Sequence, residues 1–484
     1  MMQGSATPRT AEAIIAPRHP GYVWGIAIAA AMGGLLFGYD WVVIGGARQF
    51  YEIYFHLTSA VLVGWANSSA LVGCLLGSLI AGSLADRYGR RRVLLASAIL
   101  FALSSVLTGE SQTFLQFIVW RIAGGLAIGL SSNVSPVYIA ETSPSAVRGR
   151  LVSLNQFAIV VGILLAQVVN WLIARPVPSG LSEFAIQHSW NVQHGWRWMF
   201  IAVAAPAVVF TGASLLLPES PRWLLVGRRE EEARDVLDRI GGPQFAVQEL
   251  TAIERALAAD VANRSSWRDL LRSPARHILL IGIALAVLQQ WTGINVLFNY
   301  AGDVYRSAGY GANQIFLDIV ITGTINLVFT ILAMLLVDRI GRRKMMIFGS
   351  LGIGFSHLLC AWAYHEHWPA AAVLTLTLSA IACYAVTLAP VTWVLISEIF
   401  PNRMRAHGVS ISVSALWAAS FLLTYSFPAL SAHLGSAGVF SAYGAICFLG
   451  TIMVTALVPE TKGRTLEQIE AEFGYTDRCI QPMS

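Results

Sequence analysis

Long apolar runs dominate the chain, interrupted by short polar segments. Runs of spanning length cover roughly residues 22–46, 61–84, 93–109, 113–137, 151–174 and 196–217, then 276–301, 315–337, 345–365, 369–396, 407–430 and 438–458. A helix of about 20 apolar residues crosses the hydrocarbon core of a bilayer, so the pattern predicts twelve transmembrane helices. They fall as six, a break, and six more. The break, residues 218–275, is the long polar stretch of the chain. Within it "RREEEARDVLDRI" and "AVQELTAIERALAADV" keep a helical period with charge on one side, which predicts short helices facing water.

The polar punctuation repeats. "GSLADRYGRRR" (82–92) follows span 2 and "MLLVDRIGRRK" (334–344) follows span 8. "PVYIAETSPSAVRGR" (136–150) is matched by "PVTWVLISEIFPNRMRAHG" (390–408), and "PESPR" (218–222) by "PETKGR" (459–464). Three matched pairs in the same order, about 250 residues apart, predict parallel six-span halves with a substrate site between them. The chain therefore divides into a tail over 1–21, a six-helix half over 22–217, a linker over 218–275, a second half over 276–458 and a tail over 459–484. The fold class is an all-α membrane protein of two six-helix pseudo-repeats.

Composition supports a lipid solvent. Apolar residues make up 56% and charged residues 12% of the 484, about half the charged share of a soluble domain. The net charge of +5 is spread by topology rather than gathered in a patch, which argues against nucleic acid. Most of the 32 Lys and Arg lie in the tails, the linker and the loops after spans 2, 4, 8 and 10. By the positive-inside rule both termini and the linker are cytoplasmic, in the cell's inner membrane. The N-terminus lacks a signal-peptide pattern. The five cysteines are an odd count without framework spacing, so no disulfide is expected.

At these motifs the sequence resembles the sugar porter family of the major facilitator superfamily. "DRYGRRR" and "DRIGRRK" are superfamily-wide, whereas "PESPRWLL", "PETKGRTLEQIE", "QQWTGINVLFNYA" and "SEIFPNRMR" are more specific to sugar porters. Among these, the likeness is greatest to bacterial proton-coupled symporters for xylose, galactose and arabinose, through "GGLLFGYD", "SLNQFAIVVGILLAQVVNWLIAR" and "TINLVFT". The resemblance implies a transporter rather than an enzyme. It implies a monosaccharide and protons as partners, a lipid bilayer around a functional monomer, and no cofactor beyond the coupling proton.

A sugar is uncharged and dense in hydroxyls, so its pocket needs amides that donate and accept, with aromatic rings against the apolar sugar face. Span 7 offers Gln289, Gln290, Asn295 and Asn299, and span 5 Asn155 and Gln156. Span 8 offers Asn326, span 10 Trp393 and span 11 Trp417. Gln290 and Asn295 share a face only if span 7 bends, which Gly293 permits. The bland alternative is that buried amides glue helices together. By resemblance, Gln156, Gln289, Gln290, Asn295, Asn326, Trp393 and Trp417 match sugar-contacting positions and Phe37 a cavity aromatic. Three departures bear on the sugar: Leu416 replaces an amide, Asn299 an aromatic, and "TLAPVTW" lacks the usual Gly and Trp. Trp24, Trp171, Trp196 and Trp198, near span ends, read as interfacial belt residues.

Asp40 sits inside the apolar first span. A carboxylate there costs about 2.5–3.5 kcal/mol on insertion scales and tends to mark an ion path. Arg121, in span 4, is the basic residue well inside a span. Burial favours the neutral acid and a guanidinium favours the anion, so small motions could switch the proton on and off. A static ion pair between spans 1 and 4 is the alternative. Resemblance favours the switch, since proton-coupled members carry Asp here. In the loops, Asp86 and Arg90, and Asp338 and Arg342, can pair with charged groups at the inner helix ends, with Glu141 and Arg148, and Glu398 and Arg405, as candidate partners of a cytoplasmic gate; the alternative is that these loops only set topology. "HEHW" (365–368) reads as a wet loop, and no phosphate-binding GxxxxGK[ST] occurs. The function expected is proton–monosaccharide symport by alternating access, xylose-like sugars favoured. A uniporter, a polyol symporter and a weakly transporting sugar sensor are the alternatives.

Overall fold

The structure, a computed structural model, describes residues 19–176, 182–262, 270–271, 275–401, 404–464 and 468. The first five spans are α1 (Pro20–Tyr54), α2 (Ala60–Tyr88), α3 (Arg90–Gly109), α4 (Phe114–Thr142) and α5 (Arg148–Ile173). The sixth is assembled from α6 (Glu183–Gln187), a wide turn over Asn191–Gly195, α7 (Trp196–Ile201) and α8 (Ala204–Leu216). Three polar helices follow, α9 (Pro221–Val226), α10 (Glu230–Gly241) and α11 (Pro243–Ala262). The second set comprises α12 (Ala275–Trp291), α13 (Ile294–Asn299), α14 (Ala301–Ser307), α15 (Ala312–Ile340), α16 (Arg342–His365), α17 (Ala370–Val386), α18 (Leu388–Glu398) and α19 (Arg405–Leu457). Among the described residues, 11 helical stretches are long and apolar enough to cross a membrane. The last of them, α19, is two spans run together across Gly435, whose φ of 65° and ψ of 175° interrupt the helix.

The first span outruns its apolar pattern. It continues past residue 46 to Tyr54 because Arg48 and Glu52, one turn apart, pair along it, and Phe50 and Tyr51 bury beside them. Small residues let the bundle close tightly. At Gly73 of α2 and Gly125 of α4 an added Cβ would come within 2.0 and 1.9 Å of a carbonyl oxygen of the other helix.

Trp196 is a correction to the belt reading. It is 0% exposed and packs among Tyr51, Tyr54, Phe55, Phe117 and Phe200. Its indole N–H donates to the Val192 carbonyl at 2.9 Å, which satisfies the one polar atom and permits burial. Trp24, Trp171 and Trp198 are exposed on the bundle surface. Cys74, Cys360, Cys383 and Cys447 are free thiols, and Cys479 lies outside the described residues.

Candidate functional site

A cavity of about 110 Å3 lies between α1 and α5 on one side and α12, α13, α15, α17, α18 and α19 on the other. Phe37, Gln156, Gln289, Gln290, Asn295, Asn326, Trp393 and Trp417 all line it, joined by Trp41, Thr330, Tyr384 and Leu416. Asn299 does not. It lines two smaller cavities instead, one beside Asp40 and one near Arg48, so its placement among the sugar-facing amides is corrected. Asn295 and Asn299 share one face of α13, but Asn299 lies a turn further along it, beyond Trp41, where the large cavity has given way to the smaller ones.

The break occurs at Gly293, whose φ is 82°. A Cβ at that position would lie 2.4 Å from the Tyr443 ring, so both backbone conformation and space require glycine. The carbonyl of Thr292, released from the helix ladder, accepts from the buried ring of His357 at 2.8 Å. With the helix broken, Gln290 Oε1 accepts from Asn295 Nδ2, and Gln290 Nε2 donates to Gln289 Oε1 at 2.6 Å. Three amides thus form one chain along the cavity wall, each held by its neighbour.

The aromatic wall is a triangle. Phe37 and Trp41, one turn apart on α1, lie with ring centroids 5.8 Å apart, and each meets Trp417 of α19, at 5.7 and 6.1 Å. Trp417 Nε1 and Thr330 Oγ1 are buried without a partner in the protein. Buried polar groups are rarely left so, which makes both suited to a polar ligand. Trp41 was not anticipated. Its neighbour Asp40 carried the sequence signal, and an aromatic in an apolar span carries none of its own.

Asp40 and Arg121 meet. Arg121 Nη1 donates to Asp40 Oδ1 at 2.8 Å and to Oδ2 at 2.9 Å, with side chains 6% and 4% exposed. One nitrogen serves both oxygens, and Arg121 Nε is buried without a partner, so the geometry falls short of the two-nitrogen fork that such pairs can form. The guanidinium also lies over the Phe200 ring at 5.3 Å. Removing one member of a buried pair typically destabilises by about 3–5 kcal/mol. The pair shares a chamber of about 10 Å3 with Trp41, Asn67, Cys74 and Asn299. Trp41 is the residue common to this chamber and the large cavity.

A family model described as sugar (and other) transporter matches residues 26–473. The chain belongs to the sugar transporter family. The D-xylose-proton symporter of Escherichia coli (strain K12) is 36% identical over 93% of this chain and 95% of its own. The arabinose-proton symporter of Bacillus subtilis (strain 168) is 37% identical at the same coverage. A structure of the Escherichia coli xylose transporter in an inward-open conformation superimposes with a TM-score of 0.82 at 34% identity, covering 93% of this chain and 100% of that one. The fold is that of the major facilitator transporters, and members of this family are transporters rather than enzymes.

In this sugar transporter the two ends of the bundle differ. At the end carrying the linker, the repeated motifs fold onto one another within each half. Arg90 pairs with Asp86 and with Glu141, both at 3.0 Å, and Ser220 Oγ donates to Glu141 at 2.5 Å. Glu219 of "PESPR" accepts from the backbone N–H of Arg90 and Arg91 at 2.9 and 3.1 Å, capping α3 across the tight turn at Gly89. The second half repeats this: Glu460 accepts from Arg342 N–H at 2.9 Å, and Arg342 meets Glu398 at 3.5 Å. The motif arginines Arg90 and Arg342 thus meet the helix-end carboxylates Glu141 and Glu398, while Arg148 reaches Glu249 of the linker at 3.4 Å. Glu141 lies closer to the α2–α3 turn, where Arg90 meets it first. Arg405 donates to the Phe400 carbonyl at 3.5 Å. The side chain of Asp338 lies outside the described residues.

At the far end, an ion pair and a hydrogen bond join the halves. Arg48 of α1 pairs with Asp303 of α14 and with Glu52 at 2.5 Å, and stacks over Tyr300 at 4.3 Å. Arg306 donates to Gln49 at 2.6 Å. Lysine and arginine bias reads Arg48 and Arg306 as lying on this side without giving either a partner. The pairing partners lie 255 residues apart, and nothing local in the sequence links them.

Proposed function

We propose that this chain is a proton-coupled monosaccharide symporter working by alternating access, with a pentose such as xylose the favoured substrate and the proton as the only coupling ion. The observation carrying the reading is a buried ion pair, Asp40–Arg121, separated by one indole from an amide-lined and aromatic-lined cavity. The names of the relatives support the same cargo and coupling. Phe37, Gln156, Gln289, Gln290, Asn295, Asn326, Trp393 and Trp417 hold the sugar. Ionised Asp40 binds Arg121 and ties α1 to α4; the protonated acid gives up the charged interaction and frees α1 to move with the second half. Lysine and arginine bias supports termini and linker in the cytoplasm and the far end outside, in the inner membrane. With the far end joined across the halves, this conformer is the one that releases cargo inward. The clusters at Glu141 and Glu398 shape the inner mouth, and one polypeptide carries every part, so a monomer suffices.

The test is uptake of a labelled sugar panel into proteoliposomes, with and without an imposed pH gradient. Concentrative uptake of pentose only under an inward proton gradient supports the reading. Equilibration indifferent to the gradient makes the protein a uniporter. Preference for a polyol, which the apolar Leu416 in the cavity wall leaves as the second reading, replaces the sugar.

A further inference from the structure

Three cavities stand in series along α1. The large one ends at Trp41, the acid chamber runs from Trp41 to Asn299, and a far-end crevice of about 10 Å3 begins at Asn299 and reaches Arg48 and Asp303. Asn299 is 4% exposed, lines both small cavities, and has a buried Oδ1 with no partner in the protein. Each small cavity has room for about one water. The chamber also supplies the polar atoms that a water needs: Arg121 Nε and Asn299 Oδ1 are a donor and an acceptor without partners, beside the Asp40 carboxylate. A sugar cannot enter such a volume, whereas a proton carried between waters can.

We propose that Asp40 takes its proton from the outside along a route separate from the sugar's, through the far-end crevice and past Asn299, with Trp41 as the partition between proton chamber and sugar cavity. This rests on the symport reading above. In the transfer, an O–H bond of a protonated water in the crevice breaks as one forms to a water in the chamber. That water passes a proton to a carboxylate oxygen of Asp40, which changes from anion to neutral acid. Asn299 is a positioning residue: its amide orients the two waters and itself gains and loses nothing. The charged and titratable groups around the route are Arg121 on α4, Cys74 on α2, Arg48 and Glu52 on α1, Tyr300 between α13 and α14, and Asp303 and Arg306 on α14. Arg48, clamped to Asp303 and Glu52, plugs the crevice in this conformer. Separation of Arg48 from Asp303, as the far end opens, unplugs the crevice and admits the proton with the sugar. Leakage in the closed state is thereby suppressed.

The experiment compares wild type, Asp40→Asn, Asn299→Leu, Asn299→Val and Asn299→Ser in proteoliposomes. Proton-driven uptake and sugar exchange at equal pH are measured for each, with an internal pH dye reporting proton entry. The ratio of driven uptake to exchange is expected to fall at least tenfold in the Leu and Val variants and to recover to half or more of wild type in Ser, whose hydroxyl again holds a water. An undiminished ratio and undiminished proton entry in Leu and Val overturn the route. A rise in the exchange KM that leaves the ratio intact also overturns it and returns Asn299 to the sugar. Absence of driven uptake in the wild type is a different failure, that of the symport reading.

Discussion

A single nitrogen of Arg121 holds both oxygens of Asp40, across the packing of α4 on α1. Such a contact ties two helices strongly while the acid is ionised and loses its charge attraction when one oxygen is protonated. Asp40→Asn is therefore expected to let sugar equilibrate and exchange while abolishing accumulation. Counterflow and pH-driven uptake, measured side by side in vesicles, check this; accumulation surviving in the variant would falsify the coupling role.

Arg121→Leu leaves a buried carboxylate alone. It is expected to lower stability by about 3–5 kcal/mol. Combining it with Asp40→Asn restores most of the loss, since no charge is then left unpaired. Thermal unfolding of the purified variants in detergent reads both effects.

Gln290 is the middle amide of the chain Gln289–Gln290–Asn295. Gln290→Ala removes a sugar partner and loosens both neighbours, so sugar affinity is expected to drop by about 1–3 kcal/mol, roughly fivefold to 150-fold. Equilibrium binding by calorimetry gives the number directly. Gln290→Glu keeps the shape and is expected to bind more weakly too, because a carboxylate loses the amide donor that Gln289 accepts.

Gly293→Ala combines a positive φ with a Cβ 2.4 Å from Tyr443. The expected cost exceeds about 1 kcal/mol, visible as a lowered melting temperature with sugar binding reduced. Tyr443→Ala in the same chain relieves the contact but not the backbone strain, so only partial recovery is expected.

Asp303→Asn removes the charge that holds Arg48 across the halves at the far end. The population is expected to shift towards the form open at that end. A cysteine introduced by Phe316→Cys, which lines the far-end crevice, should then label several-fold faster with a membrane-impermeant maleimide. Equal labelling in the presence and absence of Asp303 would show that the seam is held by other contacts.

Apolar run lengths were enough to read the spans, because lipid leaves a helix few alternatives. The break at Gly293 was legible for the same kind of reason: Gln290 and Asn295 could not otherwise share a face. The large cavity gathered eight side chains read from the sequence. Asn299 shares a helix face with Asn295, so its face was legible; how far along that face the large cavity extends, closed off here by Trp41, is set by packing between distant segments and was not. The turn at Gly89 delivers Arg90 to Glu141, a pairing the motif's arginines and the helix-end carboxylate made legible, whereas the partner of Arg148, Glu249, lies in a linker helix whose position no local pattern gives.

The glutamates that cap the tight turns at Gly89 and Gly341 lie just past the last helix of the half whose turn they close, Glu219 at the start of the linker and Glu460 at the start of the tail. Each set of six helices therefore carries its own fastening at the inner corner and borrows none from the other. Nicking the polypeptide within the linker beyond Ser220 would sever neither fastening. Two separately made fragments would each keep their inner corners in shape and meet along the seam where Arg48 finds Asp303.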